Sequence, residues 1–151
     1  MILPRIAVAS VADAEALAAV HRACFAEVWA ASTIARLLHE SNAISAVARR
    51  GSRVVGFTLC RLGAEECEVL TCAVEPASRR RGMGRLMLNA AFGEAVRRGG
   101  RVVFLEVAAD NDAAIALYAE RGLRPVGRRR RYYRRVGDVA VDALIMSCEL
   151  S

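Results

Sequence analysis

Residues 68–85 read Glu-Val-Leu-Thr-Cys-Ala-Val-Glu-Pro-Ala-Ser-Arg-Arg-Arg-Gly-Met-Gly-Arg, and the rest of the chain is organised around this stretch. Residues 69–74 are largely apolar and β-favouring, which predicts a strand. Pro76 ends that strand, and a turn rich in arginine and glycine follows at 78–84. From Arg85 onward apolar residues recur at helical spacing. The stretch therefore predicts a strand, a short loop and the start of a helix.

The turn is typical of an anion site. A helix N-terminus leaves backbone N–H groups unpaired, and the helix dipole adds positive potential to them. A P-loop is excluded because the 22 basic residues are all arginine, and a Rossmann turn is excluded because Met87 stands where its third glycine belongs. What remains is Arg-x-x-Gly-x-Gly from Arg79 to Gly84. The alternative is an arginine-rich loop that only caps a helix.

Length and composition favour one globular domain over residues 1–151. Of the 151 residues, 55% are hydrophobic and 25% are charged, which suits a chain with a sizeable core. The absence of a long apolar run and of a signal-peptide pattern predicts a cytoplasmic protein. The net charge of +6 suits an anionic cofactor or association with the ribosome, although all-arginine usage can also reflect genome composition. Five cysteines without a Cys-x-x-Cys pair predict reduced thiols and no metal site.

The periodicity along the chain predicts a mixed α/β domain with the order β-α-α-β-β-β-α-β-α-β-β. Besides the strand at 69–74, strands are predicted at 2–8 (at a sheet edge, because of Pro4), 44–48, 54–62, 102–107, 123–131 and 139–148. Helices are predicted from a cap at Ser10 or Asp13 to about Phe25, after a cap at Ser32, from Arg85 to Gly99-Gly100, and from Asp112 to Arg121 between Asn111 and Gly122. Gly51-Ser52 is predicted to join two of the strands as a hairpin, and the last two strands to form an antiparallel pair.

The Arg79–Gly84 turn resembles the pyrophosphate-binding turn of the GNAT family of acetyl-CoA-dependent N-acetyltransferases, Gln/Arg-x-x-Gly-x-Gly/Ala. Downstream the chain is similar to the ribosomal-protein-alanine N-acetyltransferases of bacteria, the RimI type, and the similarity covers residues 69–146 well. It is carried by Leu105-Glu106-Val107, Asn111, Ala113 to Tyr118, Gly122-Leu123 and Arg130 to Tyr133. Two positions depart from that pattern, which commonly has Asn at Arg131 and Pro at Val28. Both belong to segments that shape the acceptor pocket, so they bear on the acceptor and not on the acetyl donor.

Acetyl transfer to an amine needs a base for the ammonium, donors for the developing oxyanion and a proton for the leaving thiolate. Glu106 is the candidate base, since a carboxylate within an apolar strand would be buried and its pKa raised. The alternative is a Glu at an exposed strand end or in an ion pair with an arginine. Tyr118 is the candidate acid, and its alternative is a core tyrosine. The resemblance favours the catalytic role for both residues.

The resemblance also implies how acetyl-CoA binds. Its pantetheine arm would pair with the backbone of the central strand, where two strands diverge, and its pyrophosphate would lie on the arginine–glycine turn. The implied cofactor-binding residues are Cys72, Ala73, Val74, Arg79, Arg80, Arg81, Gly82, Met83, Gly84, Arg85 and Asn111. A bulky residue at Gly84 would obstruct the approach of the pyrophosphate. A competing nucleophilic role for Cys72 lacks an evident histidine partner, since only His21 and His39 exist.

Three functions are compatible with these residues. The first, implied by the resemblance, is acetylation of the N-terminal alanine of a small-subunit ribosomal protein by direct transfer. The second is acetylation of a small-molecule amine or another protein by the same fold. The third is a ribosome- or RNA-binding module that uses the arginines of 128–135 with Tyr132 and Tyr133, because arginine and aromatic side chains hold phosphates and stack on bases. No membrane partner is expected.

Overall fold

Four helices and seven strands make up the part of the chain described by this computed structural model, which comprises residues 3–135, 137 and 139–151. The strands are β1 (Arg5–Ala7), β2 (Ala43–Arg50), β3 (Arg53–Gly63), β4 (Glu66–Val74), β5 (Val102–Ala108), β6 (Arg124–Arg134) and β7 (Ala140–Glu149). The helices are α1 (Ala14–Cys24), α2 (Ala31–His39), α3 (Met83–Arg97) and α4 (Asp112–Glu120). The predicted order of elements is confirmed.

One mixed sheet contains all seven strands in the order β1-β2-β3-β4-β5-β7-β6. Neighbouring strands are antiparallel except β4 and β5, which are parallel because α3 connects them. The last strand, β7, lies between β5 and β6. β1 is an edge strand, as Pro4 predicted, and the hairpin at Gly51-Ser52 is confirmed.

The sheet has a hydrophobic core on each side. One cluster packs α1 and α2 against β2, β3 and β4 around Leu17, Ile34 and Phe57. The other packs α3 and α4 against β4, β5 and β7 around Leu88, Phe92 and residues of the strands. Each helix contributes its apolar stripe to one of these cores, as helical periodicity requires.

A β-bulge in β4 determines where the sheet opens. Leu59 and Cys60 of β3 pair with Thr71 and Val69, so Leu70 is an extra residue in β4. A bulge bends its strand and increases the local twist. The pairing of β4 with β5 accordingly ends at Glu68 and Phe104, and the two strands separate beyond this point.

Two predicted element boundaries were wrong, and a third lies outside the residues that the structure describes. Ser32 does not cap α2, because the helix begins at Ala31 with Ala30 at the N-cap position. The third helix begins at Met83 and not at Arg85, since Gly82 in a left-handed conformation already starts it. Ile2, predicted at the start of the first strand, lies outside the described residues. No helix among the described residues is long and apolar enough to cross a membrane.

Candidate functional site

The gap between β4 and β5 exposes backbone groups of β4. Glu75 N–H donates to Val55 of β3 at 2.8 Å, so by alternation the backbone of Ala73 also faces β3. The N–H groups of Cys72 and Val74 therefore face the gap. The Val74 carbonyl already accepts Arg79 Nε at 2.9 Å and Cys24 Sγ at 3.3 Å. Of the three predicted residues, Cys72 and Val74 can pair with an extended ligand in the gap, and Ala73 cannot.

The turn before α3 presents unpaired N–H groups at the same end of β4. Gly82 has φ +76° and no side chain caps the helix at this position. The first backbone bond into the helix is from Leu86 N–H to the Gly82 carbonyl, at 3.0 Å. Within the described chain, the backbone N–H groups of residues 80–85 have no hydrogen-bond partner. A set of free N–H groups at a helix N-terminus fits an anionic ligand.

The arginines of the turn are not equivalent. Arg79 is held by the Val74 carbonyl, and Arg85 forms an exposed ion pair with Glu120 at 3.3 Å. Arg80 and Arg81 are exposed, and neither forms an ion pair within residues that the structure describes. These two guanidinium groups are the ones available to a phosphate group.

Gly84 lies where α3 meets α4. A Cβ atom at this position would lie 2.9 Å from Leu117 Cδ2. At Gly82, in contrast, a Cβ would have no neighbour within 4 Å, and the glycine is needed for its positive φ. The two glycines of the motif therefore serve different purposes, helix packing at Gly84 and backbone conformation at Gly82.

The prediction that Glu106 is buried was wrong. Its side chain is 31% exposed, and both carboxylate oxygens accept Arg129 Nη1, at 3.1 and 3.2 Å. The position faces outward because β5 alternates between buried Val or Leu and more exposed residues. Glu106 is thus a partly solvated carboxylate in an ion pair, on the strand that borders the gap.

Tyr118 of α4 is 7% exposed. Burial raises the pKa of its hydroxyl well above the ordinary value, and negative charge on Cys72, Cys60 and Tyr133 would raise it further. The phenol therefore carries its proton at neutral pH. Asn111 caps α4 as predicted, because its Oδ1 accepts the Ala114 N–H at 3.2 Å.

The thiol of Cys72 is not suited to nucleophilic attack. Although the residue is only partly buried as a whole, burial of its sulfur raises the pKa to about 12. His21 is buried in a stack with Trp29, with ring centroids 4.7 Å apart. Burial lowers the pKa of His21, and its Nδ1 has no hydrogen-bond partner in the described chain. The gap therefore favours neither a cysteine nucleophile nor a histidine that would activate one.

Comparison with known proteins agrees with this geometry. A model of the acetyltransferase (GNAT) family matches residues 14–123. The chain belongs to the GNAT acetyltransferase family. This confirms the resemblance predicted from the motif and the mixed α/β fold predicted with it.

Two curated relatives of this GNAT protein are informative. It is 50% identical over 91 residues to the N-alpha-acetyltransferase RimI of Mycobacterium tuberculosis, a match covering 58% of this chain and 56% of that protein. The match therefore spans little more than half of that relative's length. The chain is also 34% identical over 102 residues, 68% of each protein, to the [Ribosomal protein bS18]-alanine N-acetyltransferase of Escherichia coli strain K12.

Solved structures extend the likeness to almost the whole chain. The crystal structure of the ribosomal-protein-S18-alanine N-acetyltransferase from Escherichia coli has a TM-score of 0.91 at 28% identity, covering 99% of this chain and 95% of that one. Arabidopsis thaliana NAA60, solved in complex with acetyl-CoA, has a TM-score of 0.87 at 19% identity over 97% of this chain and 98% of its own. At that identity it shows the shared GNAT fold alone.

Two residues that act on Glu106 were not among the catalytic or cofactor-binding residues predicted from the sequence. Arg129 pairs with Glu106, and Tyr133 is close enough to Glu106 for the carboxylate, after burial, to raise the pKa of its phenol. Tyr133 also acts electrostatically on Tyr118. The tyrosine is thus coupled electrostatically to both the candidate base and the candidate acid. Both residues belong to the run 128–135, but only the strand order of the sheet places that run one strand away from β5, across β7.

Proposed function

We propose that this protein is an acetyl-CoA-dependent N-acetyltransferase that acts on the α-amino group of a protein N-terminus. The observation that carries the proposal is the gap between β4 and β5, with free N–H groups at residues 80–85 at one end and Glu106 on the bordering strand. The RimI-type relatives support an N-terminal acceptor. We infer the N-terminal alanine of a small-subunit ribosomal protein as the acceptor, and hence a cytoplasmic location.

Acetyl-CoA, when bound, supplies an activated acetyl group as a thioester. The N–H groups of Cys72 and Val74 would pair with its extended arm, and the turn at 80–85 with Arg80 and Arg81 would hold its pyrophosphate. Asn111, at the start of α4, would lie beside the same ligand. These groups fit because each is an unpaired donor or a free cation in the described structure, apart from Asn111, which already accepts the Ala114 N–H.

Glu106 would take the proton of the acceptor ammonium at its carboxylate, through water. The incoming ammonium replaces the charge of Arg129, so the carboxylate remains paired with a cation during the exchange. Proton transfer through water is easier from an amine that loses its proton readily.

Tyr118 would donate a hydrogen bond to the leaving thiolate from its phenol oxygen. An ordinary thiol has a pKa of about 8.5 and an ordinary phenol of about 10. Burial raises the pKa of Tyr118 further, so complete transfer of its proton to the thiolate is uphill. We infer that stabilisation by the hydrogen bond is the contribution of Tyr118, with water completing the proton transfer.

The proton chemistry favours an α-amine over a lysine side chain. An α-amino group has a pKa near ~8, so roughly a tenth of such groups are neutral at pH 7. Lysine, near ~10.4, is neutral well under a thousandth of the time, which costs about 3 kcal/mol more. This difference matters most for a base that is partly solvated, as Glu106 is.

The test uses two peptides of equal length. One has a free N-terminal alanine and no lysine, and the other has a blocked N-terminus and one internal lysine. Mass spectrometry locates the acetyl group, and we expect faster acetylation of the free alanine. Preference for the lysine peptide would overturn the proposal for the acceptor, and no turnover of either would overturn it as a whole.

The role of Glu106 is tested by Glu106→Gln with Asp110→Asn as matched control. Asp110 forms a comparable exposed ion pair with Arg135, at 2.9 Å, but does not border the gap by strand pairing. General bases contribute on the order of 10²–10⁴-fold, so we expect kcat of Glu106→Gln to fall by that factor with unchanged acetyl-CoA affinity. Asp110→Asn should stay within about threefold. Equal activity of the two variants would remove Glu106 from the mechanism.

A further inference from the structure

The edge strand β6 carries a large bulge, which β7 separates from the strand of the candidate base. Arg129 pairs with Ala143 and Tyr133 pairs with Val141, so the three residues 130–132 of β6 oppose one residue of β7. The unpaired residues cannot follow the pleat of the sheet. The bulge therefore projects from the strand and presents residues that sheet pairing does not constrain.

Asp142, the single residue opposite the bulge, holds it in place. Its Oδ1 accepts the Arg131 backbone N–H at 2.8 Å, and its Oδ2 accepts Arg128 Nη1 at 2.7 Å. These bonds, the one from Arg131 first, keep the pKa of Asp142 below its ordinary value. Arg131 has φ +55°, which costs an L-residue with a side chain roughly 1–2 kcal/mol. Because the charged carboxylate of Asp142 holds this strained backbone, the bulge has a defined conformation.

The bulge lies one strand away from Glu106, and residues that flank it reach the carboxylate. Arg129, immediately before it, donates to both Glu106 oxygens. Tyr133, immediately after it, is close enough for the Glu106 carboxylate to act on its phenol. A segment bracketed by two neighbours of the candidate base borders the space that an acceptor must enter.

The bulge also carries positive charge outside any ion pair of the described chain, although the guanidinium of Arg130 acts electrostatically on Asp142. Arg128, Arg129 and Arg135 are neutralised by ion pairs with Asp142, Glu106 and Asp110. The side chains of Arg130 and Arg131, both exposed, form no ion pair or hydrogen bond in the part of the chain that the structure describes. Two guanidinium groups next to the arginine that pairs with Glu106 are thus available to an anion.

We propose that Arg130 and Arg131 make this enzyme select acceptors with an acidic residue shortly after the N-terminal residue. The inference rests on the proposed function, because it assumes that the acceptor amine lies at Glu106. A carboxylate in the first positions of an extended peptide lies within reach of a bulge beside that amine, and guanidinium forks bind carboxylates well. A basic residue there would be repelled.

The experiment compares two peptides of equal length that begin with alanine and continue with either two aspartates or two arginines. They are offered to the wild type, to the double variant Arg130→Glu/Arg131→Glu, and to Arg5→Glu as a control. Arg5 is an exposed arginine at the opposite edge of the sheet, so its substitution is a charge change away from the bulge. A variant Arg131→Asn serves as a milder test, because asparagine tolerates a positive φ better than most residues.

For the wild type we expect kcat/KM for the aspartate peptide to exceed that for the arginine peptide by on the order of tenfold, and added salt to reduce this ratio. The double variant should reverse the preference, Arg131→Asn should weaken it, and Arg5→Glu should leave it unchanged. Thermal melting of each variant checks that it is folded. Equal kcat/KM for the two peptides, or a preference that the bulge variants leave intact, would overturn the proposal.

Binding of the same peptides, labelled at the C-terminus and followed by fluorescence anisotropy, separates this inference from the proposed function. If no peptide is acetylated, the proposed function is wrong. A preference in binding for the aspartate peptide that depends on Arg130 and Arg131 would still support a site for acidic peptides. Equal binding of both peptides would overturn the proposed selectivity. Binding of a single-stranded RNA oligomer that depends on Arg130 and Arg131, without any preference between the peptides, would assign the bulge to nucleic acid and overturn the peptide proposal.

Discussion

The packing role of Gly84 can be measured with a double-mutant cycle. In Gly84→Ala the new Cβ lies 2.9 Å from Leu117 Cδ2, closer than side-chain carbons normally approach. Overpacking typically costs 1–3 kcal/mol, and the lower end, about 1 kcal/mol, applies because the end of a leucine side chain can shift. Alanine in a helix gains about 0.5–1 kcal/mol over glycine. The two effects nearly cancel, so Gly84→Ala alone should change the free energy of unfolding little.

Removing Leu117 separates the two effects. In a Leu117→Ala background the clash is gone and only the gain in helix propensity remains, so Gly84→Ala should stabilise the protein by about 0.5–1 kcal/mol. The coupling energy between the two sites is then about 1 kcal/mol. Urea unfolding of the four proteins of the cycle measures it. Gly82→Ala is the control, since its cost arises from the positive φ and should be the same in both backgrounds.

Acetyl-CoA affinity, measured by calorimetry on the same four proteins, tests the other role of Gly84. If affinity lost in Gly84→Ala returns in Gly84→Ala/Leu117→Ala, the loss came from displaced helices. If it does not return, the methyl group obstructs the cofactor, as the sequence predicted. A coupling energy within about 0.3–0.5 kcal/mol of zero would refute the packing argument.

Three further predictions follow from the burial and pairing of single groups. Tyr118→Phe should lower kcat by on the order of 10²-fold with acetyl-CoA affinity unchanged, and a change within threefold would show that its hydrogen bond does not stabilise the leaving thiolate. Cys72→Ala should retain acetyl transfer, because with a pKa of about 12 only about one thiol in 10⁵ is ionised at pH 7, and mass spectrometry that found an acetyl group on Cys72 would contradict this. Burial raises the pKa of Asp13, but bonds from the Ser10 N–H and Arg49 outweigh it and hold the pKa below its ordinary value. The stabilisation is therefore present above about pH 4 and is lost as pH falls through the lower folded-state pKa, so the deficit of Asp13→Asn in urea unfolding at pH 7 should shrink progressively as the pH is lowered below about 4.

Local sequence was sufficient to predict the helices, the strands and the arginine–glycine turn. The strand at 69–74, the arginine–glycine turn and the following helix are adjacent in the chain, and their residues favour these conformations without help from distant contacts. The cap at Asn111 is equally local, since its side chain bonds a backbone group three residues away. The predicted boundary of a helix was wrong where no side chain caps its end, as at Ala30 before α2.

Properties that depend on distant neighbours were misjudged or missed. An apolar run around Glu106 suggested burial on both sides, but its side chain is partly exposed, and Arg129, which is 23 residues away, pairs with it. Gly84 was read from its motif alone, and its contact with Leu117 comes from the packing of two helices. Neither contact can be deduced from a window of sequence, because each joins segments that only the sheet brings together.

The sequence by itself determined which backbone groups an anion could use: the turn at 79–84 and its helix form from neighbouring residues. Only the tertiary structure decided where the gap opens and which side chains lie near Glu106. The bulge at Leu70 bends β4 away from β5, and the insertion of β7 between β5 and β6 lays the arginine-rich strand one strand away from Glu106. Strand order and register are set by the packing of both faces of the whole sheet, which no short segment of the chain specifies.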